Sequence, residues 1–414
     1  MSEIQFTIMA WFMVLACVQI MVAVRFAKSL LARPEAMTND NQLPHVLAVL
    51  PLRGGDEFLE ETLKRLTSLD YPRYLLRIVI DSESDSAQTI VDDFLERYRP
   101  DNVETMHLGQ RPLSCSGKIA GLLRGTESLP SECGVVAVFD GDAVLHPSCL
   151  RELVEPLLKG AGLTSGNRWY APSSATLGGM MRFIWNGVAV HVMNTVQIPW
   201  GGCMAMHASS MRDPELRKRL SIAFGEDSTV ATYMLETERK VTFVPDALVI
   251  NLEDCSVRSL YNFLVRQYLT VGLHNPRWDI IFWSNIILGT SILAAYGFLF
   301  TSGIHWEPTA IGLGMVTLVI CLQLVVSGFG VRRRKLRAGT TFRRFSVLHW
   351  LLLFPALCCT NLLNLAAVLH ATFAREHTWR GITYRFGDHS TVELVDVRLP
   401  NTETATELLV DVAS

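Results

Sequence analysis

The stretch VVAVFDGDAVLHPSCL, Val135 to Leu150, runs a mostly apolar segment straight into Asp140-Gly141-Asp142. A glycine between two acids is an ordinary turn sequence. The same spacing also lets two carboxylates share one hard divalent ion, Mg²⁺ or Mn²⁺, which takes oxygen ligands and keeps positions open for substrate phosphates. Asp81 closes a second apolar segment, LLRIVID, and is followed by Ser82-Glu83-Ser84-Asp85. Acids are depleted within strands, so an acid closing each of two apolar runs says more than an acid in a loop. Lys118 opens a helical pattern in the Ser/Gly-rich LSCSGKIAGLL. There its charge and the free backbone N–H groups would suit a phosphate, although an exposed helical lysine reads the same way. Glu226 and Asp227, in IAFGEDSTVATYML, precede an apolar helical run. They read either as acids favoured by a helix N-terminus or as a general base.

Carboxylates at strand ends need a sheet to hold them. Strand patterns fall at HVLAVLPL, LLRIVID, GVVAVFD and VTFVPDALVI, and helical patterns at Phe58–Leu69, Ala87–Tyr98, Gly117–Thr126 and Ser148–Leu158. Continuous apolar strands alternating with amphipathic helices predict a mostly parallel α/β sheet covered on both faces. Such sheets bind ligands beyond the carboxyl ends of their strands, which brings Asp81 and Asp140 to one edge. No Gly-x-x-x-x-Gly-Lys-Ser/Thr is present and no Gly-x-Gly-x-x-Gly follows the first strand, so neither a P-loop nor a dinucleotide fingerprint is expected. A net charge of −3 gives no reason to expect nucleic acid as a partner. The nine cysteines include no C-x-x-C pair, which argues against a zinc site and a disulfide framework.

Three nearly uncharged runs, Phe6–Val24, Ile280–Ile304 and Ala310–Val331, approach or exceed the ~20 residues a helix needs to cross about 30 Å of hydrocarbon. Arg25, Lys28 and Arg33 follow the first run and no basic residue precedes it. The positive-inside rule then places the N-terminus outside and the chain from about residue 25 in the cytoplasm, in a multi-pass membrane protein with a cytoplasmic catalytic domain. TSGIHWEP, after the second run, lacks Lys and Arg, whereas RRRKLRAGTTFRR, after the third, is strongly basic; both agree with that orientation. A fourth region, Phe345–Ala374, contains Pro355 and Thr360-Asn361. It reads as one kinked span or as a broken, re-entrant pair, and the basic tail REHTWRGITYRFGDHS favours a return to the cytoplasm. The resulting division is an N-terminal helix (1–32), a globular domain (45–265), an interfacial helix (259–278), membrane segments (279–374) and a tail (375–414).

Taken in order, VLPLRGGDEFLEETLKRLTSLDYP, VIDSESD, SGKIAGL, VFDGDAV, WGGCMAMHAS and FGEDSTV resemble the family 2 glycosyltransferases. With one N-terminal span and a few C-terminal ones, the chain is most similar to the ceramide glucosyltransferases of family 21 and the hopanoid-associated transferases near them, and WRGITYRFG resembles a segment after their last membrane segment. The resemblance implies a GT-A fold. It implies that Asp81 contacts the donor nucleoside, that Asp140 and Asp142 bind Mg²⁺ or Mn²⁺, that Asp140 and Lys118 serve the donor site, and that Asp227 is the catalytic base. Trp200–Ser209 would lie along the acceptor side. The family's Gln/Arg-x-x-Arg-Trp aligns with RQYLT, where Arg266 and Gln267 remain as donor-site residues but Leu269 and Thr270 replace Arg-Trp; Arg168 or Trp379-Arg380 could supply the loss. The implied activity is inverting transfer from a nucleotide-sugar, such as UDP-glucose, to a membrane lipid hydroxyl, ceramide-like or other. A processive polysaccharide synthase and a catalytically degenerate membrane scaffold are the alternatives.

Overall fold

A computed structural model describes residues 3–32, 38–301, 306–338, 345–387 and 391–398. In chain order, α1 (Glu3–Leu31) leads to β1 (His45–Leu52), α2 (Leu59–Thr67), β2 (Tyr74–Ile80), α3 (Ser86–Tyr98), β3 (Val103–His107), α4 (Gly117–Gly125) and β4 (Cys133–Phe139). Then come α5 (Cys149–Leu158), β5 (Ala161–Tyr170), α6 (Leu177–Val196), β6 (Cys203–His207), α7 (Ala208–Arg212), α8 (Pro214–Leu220), α9 (Glu226–Glu236) and β7 (Lys240–Asn251). The chain continues through α10 (Val257–His274), α11 (Trp278–Thr301), α12 (Trp306–Ala338), α13 (Val347–Phe373), β8 (Glu376–Trp379), β9 (Ile382–Phe386) and β10 (Val392–Val397). Two compact units result: a sheet unit (Thr38–Leu163, Gly201–Lys240 and Ala374–Ser414) and a helix unit (Met1–Met37, Thr164–Trp200 and Val241–Phe373).

In the sheet unit the strands lie in the order β3-β2-β1-β4-β6. All neighbours are parallel except β4 and β6. β1 is buried along nearly its whole length because helices cover both faces, and an all-apolar strand stabilises the fold only when both faces are dry. α4 presses closely onto β1. A Cβ on Gly121 would lie 2.8 Å from Pro51 Cβ and one on Gly125 2.7 Å from Val49 Cγ1, so glycine four residues apart sets that approach. The mostly parallel α/β sheet expected from the sequence is therefore present, and its four predicted strands and four predicted helices fall within two residues of their expected bounds.

The unpredicted strands have compositions that hide them. β6, CMAMH, has no β-branched residue, yet Cys203 through Met206 are fully buried. Within WGGCMAMHAS, Cys203 to Met206 are therefore sheet core, while Trp200 and His207 stay partly exposed. β3, VETMH, is an edge strand whose Glu104 pairs with buried Arg77 of β2 at 2.9 Å. After α13 the tail forms an antiparallel sheet, β10-β9-β8, where sequence reading expected only a basic tail.

Four helices in the helix unit, α1, α11, α12 and α13, are long and apolar enough to cross a membrane. α1 and α12 contain the runs Phe6–Val24 and Ala310–Val331, and α11 covers the run that starts at Ile280 as far as Thr301, its last three residues lying outside the described residues. α13 is one continuous 27-residue helix through Pro355, so the broken pair does not form. A proline costs one backbone hydrogen bond, and the polar pair that follows does not open the helix: Thr360 Oγ1 donates to Ala356 O at 2.6 Å inside it. Buried polar groups are paired between helices, as apolar surroundings require: Gln323 with Gln19 at 3.0 Å, His191 with Ser327 at 2.9 Å, and Tyr268 with Asn364, which also bonds Asn285. Residues 302–305 and 339–344, which carry part of the charge pattern read for orientation, lie outside the described residues, as do 388–390 and 399–414.

Candidate active site

The carboxyl end of β2 delivers Asp81, whose backbone N–H still donates to Leu52 O at 3.0 Å. Its carboxylate is only 8% exposed and is salt-bridged by Arg53 on one oxygen and Arg111 on the other. Arg53 is itself fixed, donating from Nε to Arg380 O and from Nη2 to Arg398 O, both at 2.9 Å. Asp85, four residues on, caps α3 by accepting from Ala87 N at 2.9 Å and also accepts from Gly54 N at 2.8 Å. Of the acids following β2, Asp81 therefore holds cations and Asp85 shapes backbone.

The carboxyl end of β4 delivers Asp140, and Lys118 reaches it from α4. Ser116 caps that helix, accepting from Ile119 N, and its own N–H donates to Ala223 O at 3.0 Å, which ties the start of α4 to the segment ahead of Glu226. Lys118 Nζ sits 2.5 Å from Asp140 Oδ1 and 2.6 Å from Glu226 Oε1. One ammonium thus joins the DGD and FGED motifs. Burial alone would lower the Lys118 pKa, but Asp140 and Glu226 together hold it above its ordinary value.

Asp227 begins α9 beside Glu226. Its Oδ2 accepts from Gly201 N at 3.0 Å and its Oδ1 from Ser228 N at 2.6 Å. Gly201 cannot be replaced without movement, because a Cβ there would lie 1.9 Å from Glu226 Oε1. Burial pushes the Asp227 pKa up to about 6 and the neighbouring Glu226 adds to the rise, while Lys118 and the two backbone N–H groups oppose it. A carboxylate poised near neutrality is suited to accept a proton.

Among the described residues no group of three or more His, Cys, Asp or Glu comes together as a metal cage. The Asp140/Asp142 pair nevertheless fits a hard divalent ion: it offers oxygen donors, and an ammonium already occupies a cation position 2.5 Å from Asp140. Two protein carboxylates leave the remaining positions to water and phosphate, which is how such ions are commonly shared with a substrate.

The structure brings Asp81, Lys118, Asp140, Asp142 and Asp227 into the sheet unit, whereas Arg266 and Gln267 lie on α10 in the helix unit. There the Arg266 guanidinium stands over Phe263 at 5.7 Å, and Arg168 stacks on Trp200 at 4.3 Å. Sequence reading missed Arg53, Arg111 and Tyr384. The basic residues of VLPLRGGD and GQRPLS were visible, but only the sheet order shows that both reach Asp81. Tyr384 is fully buried in β9, and its hydroxyl accepts from Gly117 N at 3.0 Å. Four tail rings, His377, Trp379, Tyr384 and Phe386, stand edge-on around Phe224 with centroids 5.1 to 6.4 Å away, just ahead of Glu226.

The sequence profile of glycosyl transferase family 21 matches residues 8–392. A probable glycosyltransferase, YdaM, of Bacillus subtilis (strain 168) is 29% identical over 155 residues, which is 36% of this chain and 35% of that protein; the match spans about a third of the relative's length. A mannosyltransferase from Pyrobaculum calidifontis, solved with GDP-Man and Mn²⁺, aligns over 88% of this chain and 97% of its own at 16% identity and a TM-score of 0.47. Glucosyl-3-phosphoglycerate synthase from Mycobacterium tuberculosis, solved with Mn²⁺, UDP and phosphoglyceric acid, aligns over 58% and 85% at 14% identity and a TM-score of 0.38. Both structures are too distant to assign anything to this chain.

Proposed function

Because the chain belongs to glycosyl transferase family 21, we propose that it transfers a sugar from a nucleotide-sugar, UDP-glucose or similar, to the hydroxyl of a membrane lipid, ceramide-like or other, with inversion at the anomeric carbon. The observation that carries the reading is Lys118, which bridges Asp140 and Glu226 and so draws two acidic motifs far apart in sequence to one point beside Asp227. In this reading Asp227 takes the proton of the acceptor hydroxyl as that oxygen attacks the anomeric carbon opposite the diphosphate. A single in-line displacement needs one positioned base and no covalent intermediate. Lys118 stabilises negative charge developing on the departing diphosphate. Asp140 and Asp142 would hold a Mg²⁺ or Mn²⁺ ion, which when bound would neutralise part of that charge. Asp81, fixed by Arg53 and Arg111, contributes to the nucleoside end. Arg266 and Gln267 are assigned to the donor by their likeness to the family motif.

The membrane arrangement we propose keeps the N-terminus outside and the sheet unit cytoplasmic, following the basic residues after α1. The chain leaves the sheet unit after Lys240 and rejoins it at Ala374, with three span-length helices between. Three crossings would place β8–β10 on the far side from the rest of the sheet unit, and the reading we favour therefore has an even number. α13 is the helix we assign along the membrane surface. Its two ends rest on helices that are not span candidates, Phe345, just before it, meeting Phe183 of α6 at 5.2 Å and His370 bonding Tyr261 of α10 at 2.9 Å, while its middle packs on α11 through Asn364 and Asn285.

Detergent-purified protein incubated with nucleotide-sugars and lipid acceptors, with and without Mn²⁺, should yield a lipid product heavier by one sugar. Absence of product across UDP- and GDP-sugars, or a polymeric product, would sink the reading. A C-terminal tag should be shielded from impermeant reagent in intact cells; labelling there would overturn the even crossing number.

A further inference from the structure

Arg380 and Gly381 join β8 to β9 with both residues at positive φ, 47° and 74°, and Trp379 pairs directly with Ile382. This is the two-residue hairpin turn whose twist matches the flanking strands. Glycine is required at the second position, where a Cβ would lie 2.7 Å from Arg398 O. Arginine at the first position is unusual, because a left-handed conformation costs a non-glycine residue about 1 kcal/mol or more. The conformation places Arg380 at the hairpin tip.

Three ties hold that tip against the carboxyl edge of the sheet. Tyr384 accepts from Gly117 N at the start of α4, Phe224 is ringed by tail aromatics, and Arg53 donates to the Arg380 carbonyl. The Arg380 guanidinium in turn donates to Arg53 O at 2.6 Å and to both carboxylate oxygens of Asp56 at 3.0 and 2.7 Å. Asp56 Oδ2 lies 4.0 Å from the position of a Cβ on Gly141, between Asp140 and Asp142. Asp56 is a third exposed and can be hydrated where it stands, so a partly exposed ion pair gains little stability from this arrangement. The tip cation instead stands where a donor's negative charge would be expected, and it remains 39% exposed.

We propose that Arg380 is a diphosphate-binding residue of the donor site, supplied by the C-terminal hairpin and held on Asp56 until a nucleoside diphosphate takes the carboxylate's place. This rests on the nucleotide-sugar reading given above. Nη2 meets both oxygens of Asp56 while Nη1 is held on Arg53 O, so the guanidinium is fixed on the backbone with one nitrogen directed at an anion, and a planar guanidinium offers phosphate oxygens several donors in a fixed plane that a lysine cannot match. The tail is thereby part of the active site.

The test measures binding of UDP and UMP, and of GDP and GMP, to the full-length protein with Mn²⁺ by calorimetry. A charge-assisted hydrogen-bond pair corresponds to roughly 10- to 100-fold in affinity. Arg380→Gln should therefore reduce the diphosphate-over-monophosphate preference by about 10-fold or more, and Arg380→Lys should restore part of it. Arg385→Gln, which alters an exposed arginine of β9 paired with Glu376 and Glu393, should leave the preference unchanged. Equal losses for diphosphate and monophosphate in both Arg380 variants would show a merely structural hairpin and overturn the proposal, as would unaltered UDP binding. Wild-type protein that binds none of the four nucleotides would overturn the nucleotide-sugar reading itself, a result read on the unmodified chain.

Discussion

Asp81 and Asp227 are both partly buried aspartates in the sheet unit, and their surroundings are opposite. Asp81 meets two guanidinium groups, one on each oxygen. Asp227 meets a carboxylate neighbour, two backbone N–H groups and only the distant share of one ammonium, and its pKa stands at about 6. The first is built to hold charge in place. The second has its pKa raised toward neutrality by burial and by Glu226. Two side chains of one type therefore take different tasks because environment sets their chemistry.

The contrast can be broken most severely at Asp227. Asp227→Asn should lower transfer by about 10²- to 10⁴-fold, the usual contribution of a positioned base, while UDP binding stays within a few-fold. Near-normal turnover would remove the base assignment. Asp142→Asn should lower transfer by about 10²-fold, a scale typical of losing one charge-stabilising group, and should abolish the Mn²⁺ dependence of UDP binding; retained dependence would remove the metal assignment.

The pH profile sharpens the comparison further. A base must be deprotonated to act, so the rate should rise with pH and level off above about 6, falling about tenfold per unit below it. Lys118 opposes the rise in the Asp227 pKa. Lys118→Gln should therefore move the inflection to higher pH in addition to slowing transfer, and an unmoved inflection would separate Lys118 from Asp227. The smallest effect is expected at the other aspartate: Asp81→Asn should weaken nucleotide binding several-fold with no shift in the pH inflection, as expected for loss of one hydrogen-bonding partner. A shifted inflection there would dissolve the distinction between the two.

Much of this was legible in the chain. Asp140, Asp142 and Asp81 drew attention because two apolar strands each close on an acid at the same sheet edge, and the apolar lengths of α1, α11 and α12 needed only counting. β6 and β3 were not legible, since their residues become strand-like only through their neighbours. The partners of the aspartates were equally hidden. Arg53 and Arg111 are unremarkable basic residues in sequence and Arg380 stood out only through the resemblance carried by WRGITYRFG; nothing in their spacing relates any of the three to Asp81 or Asp56.

Residue type and local order by themselves determined the parallel α/β pattern, the span-length helices and the acids proposed for the site, because strand and helix periodicities and the cost of acids in strands are local properties. Tertiary structure alone decided that Lys118 joins Asp140 to Glu226, that Asp227 is buried enough to titrate near neutrality, and that the tail returns to the sheet it left. Those facts depend on distance and desolvation between segments far apart in the chain, which no local pattern encodes.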